Sequence, residues 1–434
     1  MIKRILILIV LLGIGDIYAQ ENTASPYSFF ALGDVKFKGV IENRMMGGLS
    51  IYADSIHLNL QNPASYSKLK LTTYTAALSF DNLSLKSDNN TENATTVSFD
   101  YLSLGIPLGK KMGAGLGILP YTAVGYRLES IDDSQPQSVT DRYTGEGGLN
   151  RVYFSLGYAI TRDLSVGITG NYNFGKIENT SLRIIEDVEL STKEVNRSNV
   201  NGLDFNFAVN YKKLLSKGHT IYASFLYAPE TKLTSENFRT LNTVSFTPLG
   251  AEVIRDSEVI DLEAIDLENT ELTLPYSTTF GLGFGKQKKW FAGIEYKFQN
   301  MSAFRNPFID VTNYEYENAS RITVGGFFIP KYDSFTNYWS RIVYRVGLRY
   351  EKTGLRINDT SINDFGISFG VGLPLGNYVP NTKSLAFASL FSNINIGFDI
   401  GRRGTSDFGI QENYFNLNIS LSLNDKWFVK RKYN

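Results

Sequence analysis

Tyr414-Phe-Asn-Leu-Asn-Ile-Ser-Leu-Ser-Leu-Asn424 decides how the chain is read. Phe415, Leu417, Ile419, Leu421 and Leu423 fall on one side of an extended strand, and Asn416, Asn418, Ser420, Ser422 and Asn424 on the other, because side chains alternate faces along a strand. Trp427 and Phe428 follow, then the basic tail Lys430-Arg431-Lys432. An apolar face, a small polar face and a terminal aromatic pair are what a membrane β-barrel needs where its wall meets the interface. The expectation is an all-β, antiparallel transmembrane barrel of which this is the closing strand.

Working outward, the same alternation recurs. Tyr74, Ala76, Leu78 and Phe80 share a face; so do Val152, Phe154, Leu156, Tyr158 and Ile160, and again Phe365, Ile367, Phe369, Val371 and Leu373. Between Thr96 and Leu108 the pattern changes register at Leu102 and Leu104, which suggests that these two point inward. About fourteen such segments fit between residues 69 and 424, an even number within the range of bacterial barrels. Short basic connections (Leu108 to Met112, Thr161 to Asp163, Lys212 to Gly218, Gly285 to Lys289) alternate with long polar stretches (Asp81 to Thr95, Ala123 to Asn150, Lys176 to Gly202, Ala228 to Thr270). Short turns at one end and long loops at the other suit a barrel better than a soluble sandwich. The acidic stretch Glu252 to Glu271 is expected to be a solvated loop with a short amphipathic element.

The chain divides at its start. Lys3 and Arg4, the apolar run Ile5 to Ile14 and Ile17-Tyr18-Ala19 form a secretory signal over residues 1–19, so the mature protein is expected to be exported. Residues 20–68 lack alternation and read as an irregular piece before the barrel of residues 69–424, with 425–434 as a basic tail. Aromatic residues make up 13% of the 434 and glycine accounts for 38, which suits strands with an interfacial aromatic belt. Zero formal charge argues against a nucleic-acid partner. With no cysteine there is no disulfide framework, thiolate site or lipid anchor. The two histidines, His57 and His219, have no metal-ligand spacing, and no nucleophile elbow or phosphate loop stands out. Neither a cofactor, a metal nor catalysis is expected.

Motifs in the N-terminal piece carry a resemblance. Arg44-Met45-Met46-Gly47-Gly48 and Asn62-Pro63-Ala64-Ser65, then Gly115-Leu116-Gly117-Ile118-Leu119-Pro120-Tyr121, Leu164-Ser165-Val166-Gly167-Ile168 and Leu274-Pro275-Tyr276-Ser277, together resemble the FadL/TodX family of outer-membrane transporters. The chain departs from that pattern at Ser65, where glycine is usual, and lacks a tryptophan between Phe298 and Phe304. The resemblance implies fourteen strands, a lumen plug led into the barrel by Gly47, Gly48, Asn62, Pro63 and Ala64, and a lateral opening beside a kinked third strand. It further implies passage of hydrophobic small molecules such as fatty acids into outer-membrane lipid. Some relatives, such as the type IX secretion shuttle barrel, instead act as partner subunits of secretion or assembly complexes, and that alternative stays open.

Candidate site residues follow. Pro120 cannot donate to a ladder, so it marks either a lateral gate or simply a strand end. Phe29, Phe30, Leu102, Leu104, Leu119 and Tyr121 are candidates for an apolar lumen pocket, or for packing between plug and wall. Arg341, Arg345 and Arg349 share a face and could hold a ligand carboxylate, or pair with lumen acids such as Glu295, Asp204 or Asp399.

Overall fold

A computed structural model describes residues 23–87, 90–134, 136–309, 314–334, 336–375, 392–405 and 409–426. The expected signal of residues 1–19, Trp427, Phe428 and the basic tail lie outside the described residues.

In the N-terminal segment, residues 23–71, sit β1 (Asp34–Val35), a single helical turn α1 (Ile41–Arg44) and a 3-10 turn (Pro63–Lys68). The wall begins with β2 (Thr72–Lys86), β3 (Thr91–Leu108), β4 (Met112–Pro120), β5 (Thr122–Asp132) and β6 (Val139–Ala159). It continues through β7 (Leu164–Ile185), β8 (Ser191–Leu214), β9 (His219–Ala228), β10 (Thr231–Phe246) and β11 (Glu252–Val259). Next come β12 (Asn269–Leu274), β13 (Ser277–Lys286), β14 (Trp290–Gln299), β15 (Tyr314–Tyr316) and β16 (Ala319–Phe328). The last are β17 (Val343–Ile357), β18 (Thr360–Pro374), β19 (Asn393–Arg403) and β20 (Gln411–Asp425).

These segments make a closed antiparallel barrel of fourteen staves. Three staves are interrupted: β4 and β5 at Tyr121, β9 and β10 at Pro229-Glu230, and β12 and β13 at Pro275-Tyr276. Proline lacks the N–H the ladder needs, so two of these breaks fall where sequence dictates. The third falls one residue after Pro120. Closure comes from β20 pairing with β2, from Thr72↔Asp425 to Lys86↔Gln411.

The alternation reads out as expected. Phe415 is 46% exposed on the outer face, whereas Asn418 is fully buried inside. Tyr74, Leu78 and Phe80 are likewise exposed. Among the described residues no second sheet covers the greasy rows, so in this fold their natural solvent is lipid.

Two expectations are corrected. Leu102 and Leu104 face outward, Leu102 being 54% exposed. A bulge at Asp100, with Ala77 opposite Tyr101 and Leu78 opposite Phe99, resets the pleat. Apolar residues on both sides of it therefore stay outside, and Tyr101 turns in. The stretches read as long loops are mostly strand: β7 and β8 run 22 and 24 residues, against the roughly 9–11 that span a membrane. Above the apolar band both faces are polar, so alternation vanishes while the ladder continues. The acidic stretch likewise contains β11, paired with β10, then a 3-10 turn Glu263–Ile265 and β12.

The apolar core lies between the N-terminal segment and the inner wall. Val40, Ile41, Met45, Leu58, Leu60 and Tyr66 pack against Ala77, Tyr101, Leu119 and Tyr153. Met46, Leu49 and Ile51 pack against Tyr222, Phe291 and Phe327. Burial of each such side chain contributes about 1.5–3 kcal/mol. Contact is close because glycine lines the wall there. A Cβ on Gly347 would lie 2.0 Å from the Gly47 nitrogen, and one on Gly167 would lie 2.3 Å from the Ala64 nitrogen. Gly47 has φ +73° and Gly48 φ +95°, and the Gly47 amide donates to Ser368 Oγ at 2.9 Å.

Gly347→Ala is expected to destabilise the barrel by about 1–3 kcal/mol through overpacking against backbone. Gly170→Ala, whose Cβ would meet nothing nearer than 3.5 Å, is expected to be near neutral. Thermal loss of heat-modifiable migration in detergent measures both; equal melting temperatures would contradict the packing.

Candidate functional site: a wall gap and the chamber behind it

β3 and β4 pair from Leu108↔Met112 up to Leu102↔Ile118. Beyond that point β3 pairs with β2, while β5 pairs with β6. Among the described residues no ladder joins β3 to β5. The chain turns at Pro120-Tyr121, and the start of β5 is taken by β1 of the N-terminal segment, Asp34↔Ala123 and Val35↔Thr122. Lys36 N–H donates to the Tyr121 carbonyl at 3.0 Å, and Gly125 N–H donates to Ser28 Oγ at 3.1 Å. Phe99 is 40% exposed on the outer face of β3, so the parted edge lies at the depth of the apolar band.

Arg151 holds the turn. Its guanidinium lies 3.9 Å from the Tyr121 ring centroid, Nη2 donates to Asp204 at 2.7 Å, and Nε donates to Asn173 at 2.7 Å. Asp204 also accepts from Asn171 and Asn173 at 2.6 and 2.7 Å. Such a charge pair, buried with every lone pair used, fixes geometry more than it adds stability.

Behind the gap is a lumen chamber of about 480 Å³. Ser98 and Asp100 of β3 and Leu119, Pro120, Tyr121 and Thr122 line its gap side. Its wall is mixed: Phe30, Leu226, Leu274 and Phe304 are apolar, whereas Lys36, Lys38, Arg44, Asp81 and Asp100 carry charge. Lys38 has no ion-pair partner among the described residues. Burial, and secondarily the nearby Arg151 charge, outweigh Asp204 and push its pKa down to about 7.

The expected site residues divide accordingly. Leu119 and Tyr121 line the chamber with Pro120, and so does Phe30. Phe29 packs edge-on against Tyr126 and Tyr143 instead. Leu102 and Leu104 are outside. Arg341 does not share a stripe with the other two arginines: it sits in the 3-10 turn Trp339–Arg341 before β17, beside the Tyr338 ring. Arg345 donates to Asn395, which in turn donates to Glu42 at 3.0 Å. Arg349 donates to the Tyr414 hydroxyl at 2.8 Å and faces Asp364 and Asp399.

The two arginines thus belong to a network that ties the N-terminal segment to the wall. Arg44 reaches Asp399 at 3.4 Å, and Asp34 pairs with Arg403 at 2.9 Å. Burial opposes the Asp34 carboxylate, but Arg403 and Lys36 outweigh it and hold its pKa below the usual carboxylate range. Ser25 bonds Glu412, and the Ser50 amide and hydroxyl donate to Glu295 at 2.8 and 2.9 Å. Asn62 donates to Asn210 at 2.8 Å, and Ser65 turns its hydroxyl back onto the Asn62 carbonyl at 2.7 Å. Asp34, Arg403 and Glu412 were not singled out in the sequence; inward parity of Glu412 with Tyr414 was the available signal.

At the short-turn end, Asp54 accepts from His57 Nδ1 at 2.6 Å and from the Ile56 and His57 amides at 2.9 and 2.8 Å. Burial works against the Asp54 carboxylate, yet His57 and the amides bring its pKa to about 2. Burial lowers the imidazole too, but Asp54 raises it further, so the His57 pKa ends above its ordinary value.

A closed barrel of fourteen staves, one of them parted beside a lumen chamber, has the fold of the FadL-like barrels. The Pseudomonas putida toluene transporter TodX has a TM-score of 0.55 at 14% identity, over 91% of this chain and 100% of that one. A Pseudomonas aeruginosa FadL homologue gives 0.53 at 11% identity, over 92% and 99%. The CymD monoaromatic hydrocarbon channel gives 0.51 at 13%, over 92% and 99%. These likenesses establish the fold. A comparison with curated proteins finds no match. The chain belongs to the BamG family, whose model matches residues 1–434. That family is distinct from the FadL/TodX transporters although the fold is shared.

Arg151→Met leaves Asp204 buried without its cation and is expected to cost about 3–5 kcal/mol; chemical denaturation from micelles checks the magnitude. The Asp54–His57 pair sets a pH window. The contribution of Asp54 is present above its ordinary value of about 4 and is lost as pH falls through about 2. The contribution of His57 is full below about 6.5 and is lost as pH rises through its raised value. His57→Gln should therefore lower the melting temperature at pH 5 and lose its effect in alkali; a constant difference across pH would refute the pairing.

Proposed function

We propose that this protein is an exported outer-membrane barrel that passes hydrophobic or amphipathic small molecules, of the long-chain fatty acid kind, between its lumen and the surrounding lipid. Residues 23–71 serve as the plug, and the break at Pro120-Tyr121 as the lateral gate. One observation carries the reading: the ladder between β3 and β5 is parted at membrane depth and a chamber lies behind it. Unpaired backbone is tolerated at that depth where it lines a cavity or faces protein, so the parting marks a route rather than a packing fault. A mixed apolar and charged chamber suits a molecule with a greasy body and a polar end. No chemical step is required, and the role is not enzymatic.

A second reading, a partner subunit of an outer-membrane secretion or assembly complex, has support of its own. The chain belongs to a family distinct from the transporters. Its β5 to β11 hairpins also project well past the apolar band and expose Ile131, Leu249 and Ile254 at their tips, which gives a partner apolar groups to contact.

Uptake of radiolabelled oleate by a deletion strain separates the two. Transport predicts a several-fold loss restored by the wild type but not by Ser98→Trp, which fills the gap side of the chamber while the barrel stays heat-modifiable. Unchanged uptake together with a stoichiometric protein partner on purification would replace transport by the subunit role.

A further inference from the structure

A second concavity lies far from the chamber, at the end bearing the short turns. It measures about 870 Å³ and is walled by the end of the N-terminal segment, the β3–β4 turn and the β6–β7 turn. Lys68, Lys70, Lys110, Lys111 and Arg162 converge on it, and no carboxylate lines it. Lys68 donates to the Arg162 carbonyl at 3.3 Å, fixing the segment to the turn. Burial lowers the Lys68 pKa despite the opposing charge of Asp163. Lys70, Lys110, Lys111 and Arg162 are exposed and make no ion pair among the described residues.

The cleft stands at the rim of the apolar band. Leu108, 44% exposed, and Ile160, 47% exposed, sit in the chain between residues that line it, Pro107 and Gly109, Ala159 and Thr161, and above Leu108 the outer face of β3 presents Leu104 and Leu102. A cluster of basic groups at the edge of a greasy wall matches the two halves of an anionic lipid. An acidic polypeptide would satisfy the charges but leave the wall unused.

We propose that this cleft binds the phosphate of an anionic glycerophospholipid, whose acyl chains run along Leu108, Leu104 and Leu102. The site sits at the foot of β3 and β4, whose stave parts from β3 at its other end, so a bound lipid occupies the wall directly beneath the gap. The proposal does not depend on transport.

Native mass spectrometry of the full chain in a neutral maltoside tests it, with phosphatidylglycerol, phosphatidylcholine and inorganic phosphate as probes. Phosphatidylglycerol should bind in preference to phosphatidylcholine. The Lys70→Gln/Lys110→Gln/Lys111→Gln variant should weaken phosphatidylglycerol on the order of fivefold per lysine removed while still folding to a heat-modifiable barrel. Lys286→Gln/Lys288→Gln/Lys289→Gln, with the same charge loss on another short turn, should leave binding unchanged. Equal loss in both variants would reduce the site to general surface charge. Displacement of the lipid by millimolar phosphate would make it a free-phosphate site, and tighter binding of polyglutamate than of lipid would make it a protein-docking site. Each of those outcomes overturns the proposal.

Discussion

A backbone that crosses lipid must satisfy its own hydrogen bonds, and this chain does so by closing a sheet on itself. The β20–β2 ladder completes the ring, and everything else is positioned by that closure. It dictates one greasy and one small polar face, and it gives the N-terminal segment an enclosed space in which to pack. It also makes the β3–β5 parting stand out, since a closed ring has no other reason to leave an edge open.

Packing and electrostatics then divide the lumen between them. Glycine on the inner wall lets the segment's backbone approach at Gly347 and Gly167, so burial holds residues 40–66 against the short-turn half of the barrel. Toward the other half the bonds involve charge: Asp34–Arg403 and Arg44–Asp399 pair ions on β19, and Ser50 donates to the Glu295 carboxylate on β14, so the segment is tied to two separate staves. β1 diverts β5 inward, while Arg151 and Asp204 fix Tyr121 at the turn. The gap is therefore supported from within rather than left by a missing strand.

The wall was legible in the sequence because membrane alternation is strict: β20 reads from Phe415 to Asn424 without an exception. The same rule misled at Leu102 and Leu104, where apolar residues of both parities suggested an inward turn. A one-residue bulge at Asp100 lets both sets face lipid, and bulges leave no mark in hydrophobic period. Outside the membrane the rule is silent, so the outer halves of β7, β8 and β10 read as loops. Arg341 seemed to continue a stripe because spacing alone does not reveal where β17 begins. Pro120 and the glycine and Asn-Pro motifs carried the gap and the packing of the segment, since backbone chemistry is local. The ion pairs across the lumen were only partly foreseen, because they join strands far apart in sequence.

Residue-resolved amide hydrogen exchange in micelles tests the central claim, that the wall is open between β3 and β5, most directly. On the β3 edge facing away from β2, amides between Val97 and Tyr101 should exchange orders of magnitude faster than those between Leu104 and Leu108, which the β4 ladder protects. Equal protection along the whole of that edge would mean that the stave is paired throughout and the gap does not exist.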